Sequence, residues 1–411
     1  MPQWWGGMTN NETLAHIWSK DLQECLLVEL TNLMTALHRE WNLLTHGSAI
    51  LPSHGREHNL SLVLQTLSEQ GALSRAALSR ATGLTRVTVS ELVAELLQRS
   101  HVIEVGQQTG KRPGKPATLV DLNRPGLRII GVDLSGILPF RAAIMDLDGT
   151  LLKTFTPQIP DTNATGEKAT EQLLTLLHRA LAECTEPVLG IGIGTPGVIT
   201  DQGIVRSAEK FGWKDFDLRS TVSQATNIPT HVLNDADCAT LAEHTFGQGS
   251  EHMILLRLGR GVGCGVITHN TLVRGSGFAA GELGHVRPDL HDQTPCGCGN
   301  FGCLEARASV PAIRRAIAQG QDPEEAGRQA ASALATAVAP LISVLDIRNV
   351  IFTGTPEVVH PAMAKWLLEA LAQRTDTAKA ENFVLNISED PEHLVLRGTA
   401  VNVLFHQLGI S

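Results

Sequence analysis

From Thr13 to Leu44, the apolar positions Leu14, Trp18, Leu22, Cys25, Leu30, Leu33, Leu37 and Trp41 recur every three to five residues. That spacing predicts one long or two shorter amphipathic helices. Periodicity specifies only a buried face, so residues 1–57 stay open to three readings: a packing extension, an upstream segment included through a wrong start codon, or a dimerisation helix. Residues 58–122 read as a compact module. Leu60, Leu62, Val63, Leu64 and Leu67 predict a first helix. A short second helix opens on Ser74, a good N-cap. Thr82-Gly83-Leu84-Thr85 supplies a tight turn, with Gly83 free to take the left-handed conformation. A third helix follows from Arg86, capped by Thr85. Strands at His101–Val105 and Ala117–Asp121 then predict a hairpin, so the pattern is a winged helix-turn-helix.

From Leu127 to residue 411 the pattern turns to α/β. Arg128–Ser135 reads as a buried strand, followed by strands at Arg141–Leu147 and Leu151–Phe155, a helix over Thr170–Cys184 and a glycine-rich strand over Val188–Gly194. From about Glu251 to the end the scheme repeats: strand Met253–Leu258, a glycine-rich turn, strand Val262–Thr268, helices at Val310–Ala318 and Pro323–Asp346, and a strand from Asn349. Two α/β lobes with a cleft between them are expected.

Composition narrows the function classes. A chain of 411 residues implies two or three domains. The net charge of −9 excludes a uniformly basic nucleic-acid coat. Residues 58–120, however, carry seven Lys/Arg against four Asp/Glu, and Lys111, Arg112 and Lys115 stand in a wing tip that holds no acid. No uninterrupted apolar run reaches the roughly 18 residues of a spanning helix, and no basic segment leads into an apolar core at the N-terminus. A soluble cytoplasmic protein without a membrane partner is the expectation. Of seven cysteines, Cys296, Cys298 and Cys303 fall within eight residues, which points to metal binding more than to a disulfide framework.

The winged module ending in Arg112-Pro-Gly-Lys-Pro-Ala precedes a set of motifs in fixed order. They are Gly194-Thr-Pro-Gly-Val-Ile, Asn234-Asp-Ala-Asp, Gly259-Arg-Gly-Val-Gly-Cys-Gly, Gly281-Glu-Leu-Gly-His and Cys296-Gly-Cys-Gly-Asn-Phe-Gly-Cys-Leu-Glu. Over residues 58–411 the chain resembles the ROK family of sugar-responsive repressors, open reading frames and sugar kinases. The resemblance implies a two-lobed sugar-kinase/actin-like domain after the DNA-binding module. His285, Cys296, Cys298 and Cys303 offer one imidazole and three thiolates, a closed tetrahedral set suited to structural Zn2+; the plain alternative is a buried reduced cysteine cluster. The resemblance also implies that Asn234, Asp235, Glu282, His285 and Glu305 contact sugar hydroxyls, with Gly194, Thr195 and Gly197 lining the same pocket. Solvated carboxylates, and a histidine serving the metal alone, are the alternatives.

In the family's kinases the residue matching Asp235 is the general base. Here the first phosphate turn reads Asp133-Leu-Ser-Gly-Ile, with Ser135 for glycine and Ile137 for threonine, Arg260 replaces a threonine, and Thr353-Gly-Thr lacks paired glycines. An efficient kinase is not expected, so no catalytic residue is assigned unless Asp235 still serves as base. Thr85, Arg86, Thr88, Val89 and Ser90 stand where a recognition helix reaches base edges, and the wing cations are expected in the minor groove. The implied function is a regulator, in the main a repressor, acting on operator DNA as a homodimer or dimer of dimers and answering to a sugar or sugar phosphate. Two alternatives remain: a sugar kinase with an attached DNA module, and a sugar-binding scaffold whose winged module binds protein.

Overall fold

The computed structural model describes residues 52–107, 117–135, 140–158, 161 and 163–410. The helix expected over Thr13–Leu44 and the wing cations Lys111, Arg112 and Lys115 lie outside the described residues. Residues 60–411 form one compact unit, and its first helix begins at Pro52.

The winged module begins with α1 (Pro52–Gln70), β1 (Leu73–Ser74), α2 (Arg75–Thr82) and α3 (Arg86–Gln98), and ends in the hairpin β2 (Val102–Gln107) and β3 (Thr118–Leu122). Local chemistry sets its joints. The Ser74 hydroxyl accepts from the Ala77 amide at 3.3 Å, capping α2. Gly83 ends that helix at φ 73°, and Thr85 caps α3 by accepting from the Thr88 amide at 3.2 Å. The three strands pair in the order β1-β3-β2.

The first lobe contains β4 (Arg128–Asp133), β5 (Arg141–Met145), β6 (Leu151–Phe155), α4 (Gly166–Ala182), β7 (Val188–Thr195), β8 (Val198–Ile199), β9 (Ile204–Ala208), β10 (Trp213–Asp217), α5 (Leu218–Thr226), β11 (Thr230–Asn234) and α6 (Asp235–Phe246). Its main sheet runs β11-β7-β4-β5-β6, with β4, β7 and β11 parallel and β4-β5-β6 antiparallel. The second lobe adds β12 (Met253–Leu258), β13 (Val262–Thr268), β14 (Thr271–Leu272), α7 (Leu304–Ala308), α8 (Val310–Ala318), α9 (Pro323–Leu345), β15 (Asn349–Gly354), α10 (Pro361–Ala372) and β16 (Val384–Ile387). Its sheet, β14-β13-β12-β15-β16, repeats the first lobe's scheme. By length and composition α9 is apolar enough to cross a membrane, although polar residues interrupt its apolar run. Ala330, Ala331, Leu334, Ala335, Val338 and Ile342 are buried in the second lobe's core, so α9 is a core helix.

The last helix, α11 (Leu394–Leu408), departs from the expected order. The repeat predicted that everything after Glu251 builds the second lobe, but α11 packs back onto β4, β7 and α6 of the first. Glycines make the approach possible: a Cβ on Gly192 would stand 2.4 Å from the Thr399 carbonyl oxygen, and one on Gly398 would stand 1.8 Å from that of Cys238. Further along, α11 contributes Leu396, Val403, Leu404 and Leu408 to one apolar cluster with Leu60, Leu64, Leu67 and Val120 of the winged module and Met145 and Leu189 of the first sheet. Module and lobe therefore share a core. Toward the cleft, Leu394 and Val395 of α11 and Cys238, Ala239 and Ala242 of α6 pack against Met253, Leu255 and Ile351 of the second sheet.

Candidate functional site

The parallel strands β4, β7 and β11 deliver their carboxyl ends to the cleft, the usual ligand position in such sheets. Where β11 becomes α6, the Asn234 side chain accepts from the amides of Ala236 and Asp237 at 2.8 and 3.2 Å, and its amide nitrogen donates to the Gly197 carbonyl at 2.9 Å. Asn234 thus ties two cleft loops together and sets Asp235 at the first turn of α6. Gly197 is required by a close approach: a Cβ there would lie 1.9 Å from the Ser207 carbonyl oxygen. Gly194 and Thr195 take another place than the pocket lining expected of them. A Cβ on Gly194 would meet Val395 at 2.5 Å, and Thr195 is fully buried, so both serve packing beneath the cleft.

On the other side, Glu282, His285 and Glu305 come from the loop after β14, its short helical turn Leu283–His285, and α7. Glu305 accepts from the Val262 amide at 3.3 Å. It fits only because Gly261 has no side chain, since a Cβ there would stand 2.2 Å from its carboxylate. Burial raises both glutamates above the usual carboxylate range, against the pull of His285, while Glu282 is raised further by Asp235 and by Glu305. Asp237, unassigned from sequence, is pushed up to about 7, first by burial and then by Asp235 and Glu282, against the pull of Arg274.

The deep end of the cleft holds residues that the motifs did not single out. Arg257 donates from Nη1 to Asp235 Oδ2 at 2.8 Å and from Nη2 to the Ser135 hydroxyl at 3.1 Å. Ser135 in turn donates to Asp133 Oδ1 at 2.6 Å, and Arg141 grips Asp133 Oδ2 at 2.9 Å. Burial opposes ionisation of Asp133, yet Arg257 and Arg141 outweigh it and hold the carboxyl below its ordinary range. Lys210 Nζ donates to the Leu134 carbonyl at 2.6 Å. A signal for Arg257 was available: it is the one charge in the strand Met253–Leu258, whose neighbours Leu256 and Leu258 are buried. Ile137, the other departure in this turn, lies outside the described residues.

The cysteine motif closes into a cluster. His285 Nδ1 and Cys296 Sγ are 3.9 Å apart, Cys298 Sγ and Cys303 Sγ are 3.8 Å apart, and all four donor atoms lie within 4.8 Å of one another. Tetrahedral thiolates at typical bond lengths sit about 3.8 Å apart, so the donor set fits a metal ion. Without a cation, burial and the neighbouring thiols push Cys303 up to about 12, a penalty that a bound cation reverses. The loop is braced from outside by Asp292, which pairs with Arg307 and accepts from the Thr294 amide and hydroxyl at 2.9 and 2.7 Å. The Leu304 amide donates to the Val286 carbonyl at 2.8 Å, so the cysteine cluster and the Glu282–Glu305 side of the cleft are one construction.

At the surface of the winged module, Thr85, Arg86 and Ser90 are exposed and Thr88 is half-buried. Val89 corrects the sequence reading. It is fully buried with Leu92, Val93 and Leu96 in the module's core and cannot reach a base. Val87, passed over in the sequence, is 69% exposed beside Arg86. Val89 shares one face of α3 with Leu92, Val93 and Leu96, and Val87, about 200° round the helix, falls on the opposite face.

A family model described as ROK family matches residues 129–390. The chain is 28% identical to the xylose repressor of Caldicellulosiruptor bescii over 86% of its own length and 97% of that protein's. It is 37% identical to the glucokinase of Thermotoga maritima, over 48% of its own length and 62% of the kinase. In fold it is similar to a ROK family transcriptional regulator described as a homolog of the E. coli MLC protein, with TM-score 0.75, 22% identity, and coverage of 86% of this chain and 98% of that one. The family match runs through both lobes and takes in the cleft motifs and the cysteine cluster: the chain belongs to the ROK family.

Proposed function

We propose that the protein is a sugar-responsive transcriptional repressor. In this reading residues 58–122 read operator DNA and residues 127–411 bind the sugar. The observation that carries it is the shared core: a helix-turn-helix packs on α11, and the same helix reaches the cleft beside α6. A sugar that prefers one arrangement of the lobes then biases the position of the reading heads. Asn234, Asp235, Glu282, His285 and Glu305 are proposed to hold the sugar hydroxyls, with Gly197 shaping the loop against them.

His285, Cys296, Cys298 and Cys303 are proposed to hold a structural zinc, which when bound supplies a fixed tetrahedral anchor for the loop. His285 cannot give the same nitrogen to metal and sugar, so its second ring nitrogen is the one left for a hydroxyl. Thr85, Arg86, Thr88 and Ser90, joined by Val87 against thymine methyls, are proposed to face the major groove. Lys111, Arg112 and Lys115 are proposed for the minor groove. Symmetric half-sites require two reading heads, hence a homodimer or dimer of dimers. The relative named for xylose makes xylose the first effector to try.

The test is fluorescence anisotropy on DNA from the gene's own upstream region, at fixed salt, with and without a sugar panel. One sugar is expected to change specific affinity by at least tenfold. Arg86→Ala is expected to lower specific binding while leaving salt-driven, nonspecific binding largely in place. No sequence-selective binding in any condition would overturn the reading.

A sugar kinase is the second reading, favoured by the retention of Asp235 at the start of α6 and by the kinase relative. Against it stands Arg257, which occupies the Asp235 carboxylate that would have to accept a proton. Sugar-dependent ADP release from ATP, abolished by Asp235→Asn, would establish the kinase.

A further inference from the structure

A second cluster of metal-type donors lies away from the cysteine loop. Glu251 and His252 precede β12, and His269 opens the turn between β13 and β14. Their donor atoms lie within 4.8 Å of one another. His252 Nε2 stands 3.9 Å from Glu251 Oε1, and the two imidazole rings meet edge to face with centroids 4.5 Å apart. A separation of 3.9 Å is too long for a hydrogen bond. Two donors about 2.1 Å from a shared ion, by contrast, stand about 3.0–4.2 Å apart as the angle between them opens. Loop and turn are already fastened to each other. The Asn270 amide donates to the Glu251 carbonyl at 3.0 Å, and the Ser250 hydroxyl to the His252 carbonyl at 2.8 Å. Asn349 donates to the Ser250 hydroxyl at 3.0 Å, and His244 Nε2, near the end of α6, donates to Asn270 Oδ1 at 3.0 Å. The cluster is also distinct from the cleft, since Arg257 of β12 and Asp235 of α6 stand at the other ends of those elements.

We infer that Glu251, His252 and His269 form a second metal site, for a divalent ion of the zinc, nickel or copper class. The inference stands on this cluster and does not depend on how the cleft is read. Imidazole is a donor for these ions, whereas magnesium and calcium take oxygen ligands. The carboxylate offsets part of the ion's charge, and three protein donors leave at least one position for water. That open position sets it apart from the closed cysteine set. One contact must be given up. His252 Nδ1 accepts from the His269 amide at 3.3 Å, which in a neutral ring places the proton on Nε2. Ligation through Nδ1 replaces that bond, and ligation through Nε2 moves the proton to Nδ1 and turns the ring away from the amide. The bond lost is a long one, and the side chains of His252 and Glu251 are 42% and 58% exposed, so both turn in water rather than in the core. An ion held by all three clips the loop before β12 to the β13–β14 turn.

Titration calorimetry of the untagged full chain tests the site, once the protein has been saturated with Zn2+ at the cysteine cluster and freed of excess metal. Ni2+ is the probe, at neutral pH. One further equivalent per chain is expected to bind, while Mg2+ gives no heat. His252→Gln and His269→Gln are each expected to weaken Ni2+ by roughly tenfold or more, and the double variant to abolish that equivalent, with Tm in the absence of added metal unchanged. Glu251→Gln keeps the shape and removes the charge, and its loss of affinity is expected to be smaller. Atomic emission on the titrated protein reads both metals. Nickel found beside the original zinc supports the site, and nickel found in its place overturns it. Absence of a further equivalent overturns it as well. So does equal binding by the wild type and the double variant, which places the ion on other histidines of the chain.

Discussion

The two ends of the cleft handle buried carboxylates in opposite ways. Glu282 and Glu305, on the side braced by the cysteine loop, are raised by burial with only the partial counterweight of His285 and, for Glu305, Arg260 and one backbone amide. Asp133, at the deep end, is more buried than either, yet is held below its ordinary range because two guanidiniums face it. Burial alone therefore does not set a carboxyl's state; direct cationic contact decides. The first end keeps acids that can share protons and hydrogen bonds with uncharged hydroxyls. The second is a fixed ionic assembly, suited to a charged group and poorly suited to accepting a proton.

The largest effect is expected at the brace. Cys298→Ser removes one of four donors, and the metal content, measured by atomic emission, should fall from one per chain to well below half. Tm should drop by roughly 5–10 °C and the sugar response should be lost, because coordination and loop folding share their free energy. Loss of metal with full sugar response would separate the brace from the acidic end.

Next is the ionic end. Arg257→Ala leaves Asp235 without its cation and Asp133 with one guanidinium instead of two, which costs about 2 kcal/mol for a partly exposed pair, somewhat under the 3–5 kcal/mol of fully buried ones. Urea unfolding reads it. A change under 0.5 kcal/mol would show that solvent already screens this end.

Asp237 tests the acidic end through pH. Its folded value of about 7 lies above the ordinary 3.8, so the folded state binds more protons than the unfolded one between those values. Its contribution is present in full below about pH 4 and is lost as pH rises toward 7. Asp237→Asn should flatten that part of the stability profile and raise Tm at pH 8 by a few degrees; an unchanged profile would place the titration elsewhere.

The smallest effect calibrates the rest. Lys153 and Glu183 pair at 2.7 Å on the surface, each about half exposed, and Lys153→Ala should leave the urea midpoint essentially unchanged, because water screens an exposed pair. A loss as large as that of Arg257→Ala would erase the distinction between the deep assembly and an ordinary surface pair.

Much of this was legible in the sequence where the chemistry is local. The caps Ser74 and Thr85, the Gly83 turn and the strand–helix alternation need only neighbours along the chain, and they stand as read. The cysteine cluster was equally legible, since three thiols within eight residues leave little freedom of arrangement. Val89 was misread although its signal was present: Val89, Leu92, Val93 and Leu96 recur at i, i+3, i+4 and i+7 and mark the inward face, while Val87, about 200° round the helix, lies on the outer one. Gly194 was read as pocket lining although its missing side chain makes room for Val395 of α11, far later in the chain.

By itself, then, the sequence determined the element types, the module order, the metal-ready motif and the acidic residues of the cleft. Each of these follows from periodicity, capping or short spacing, which act over one or two turns of chain. Only the tertiary structure decided that α11 returns to the first lobe, that it shares a core with the winged module, and that Arg257 closes on Asp235. Those outcomes depend on which distant surfaces exclude water together, and a guanidinium finds its carboxylate only after the strands that carry them have been placed side by side.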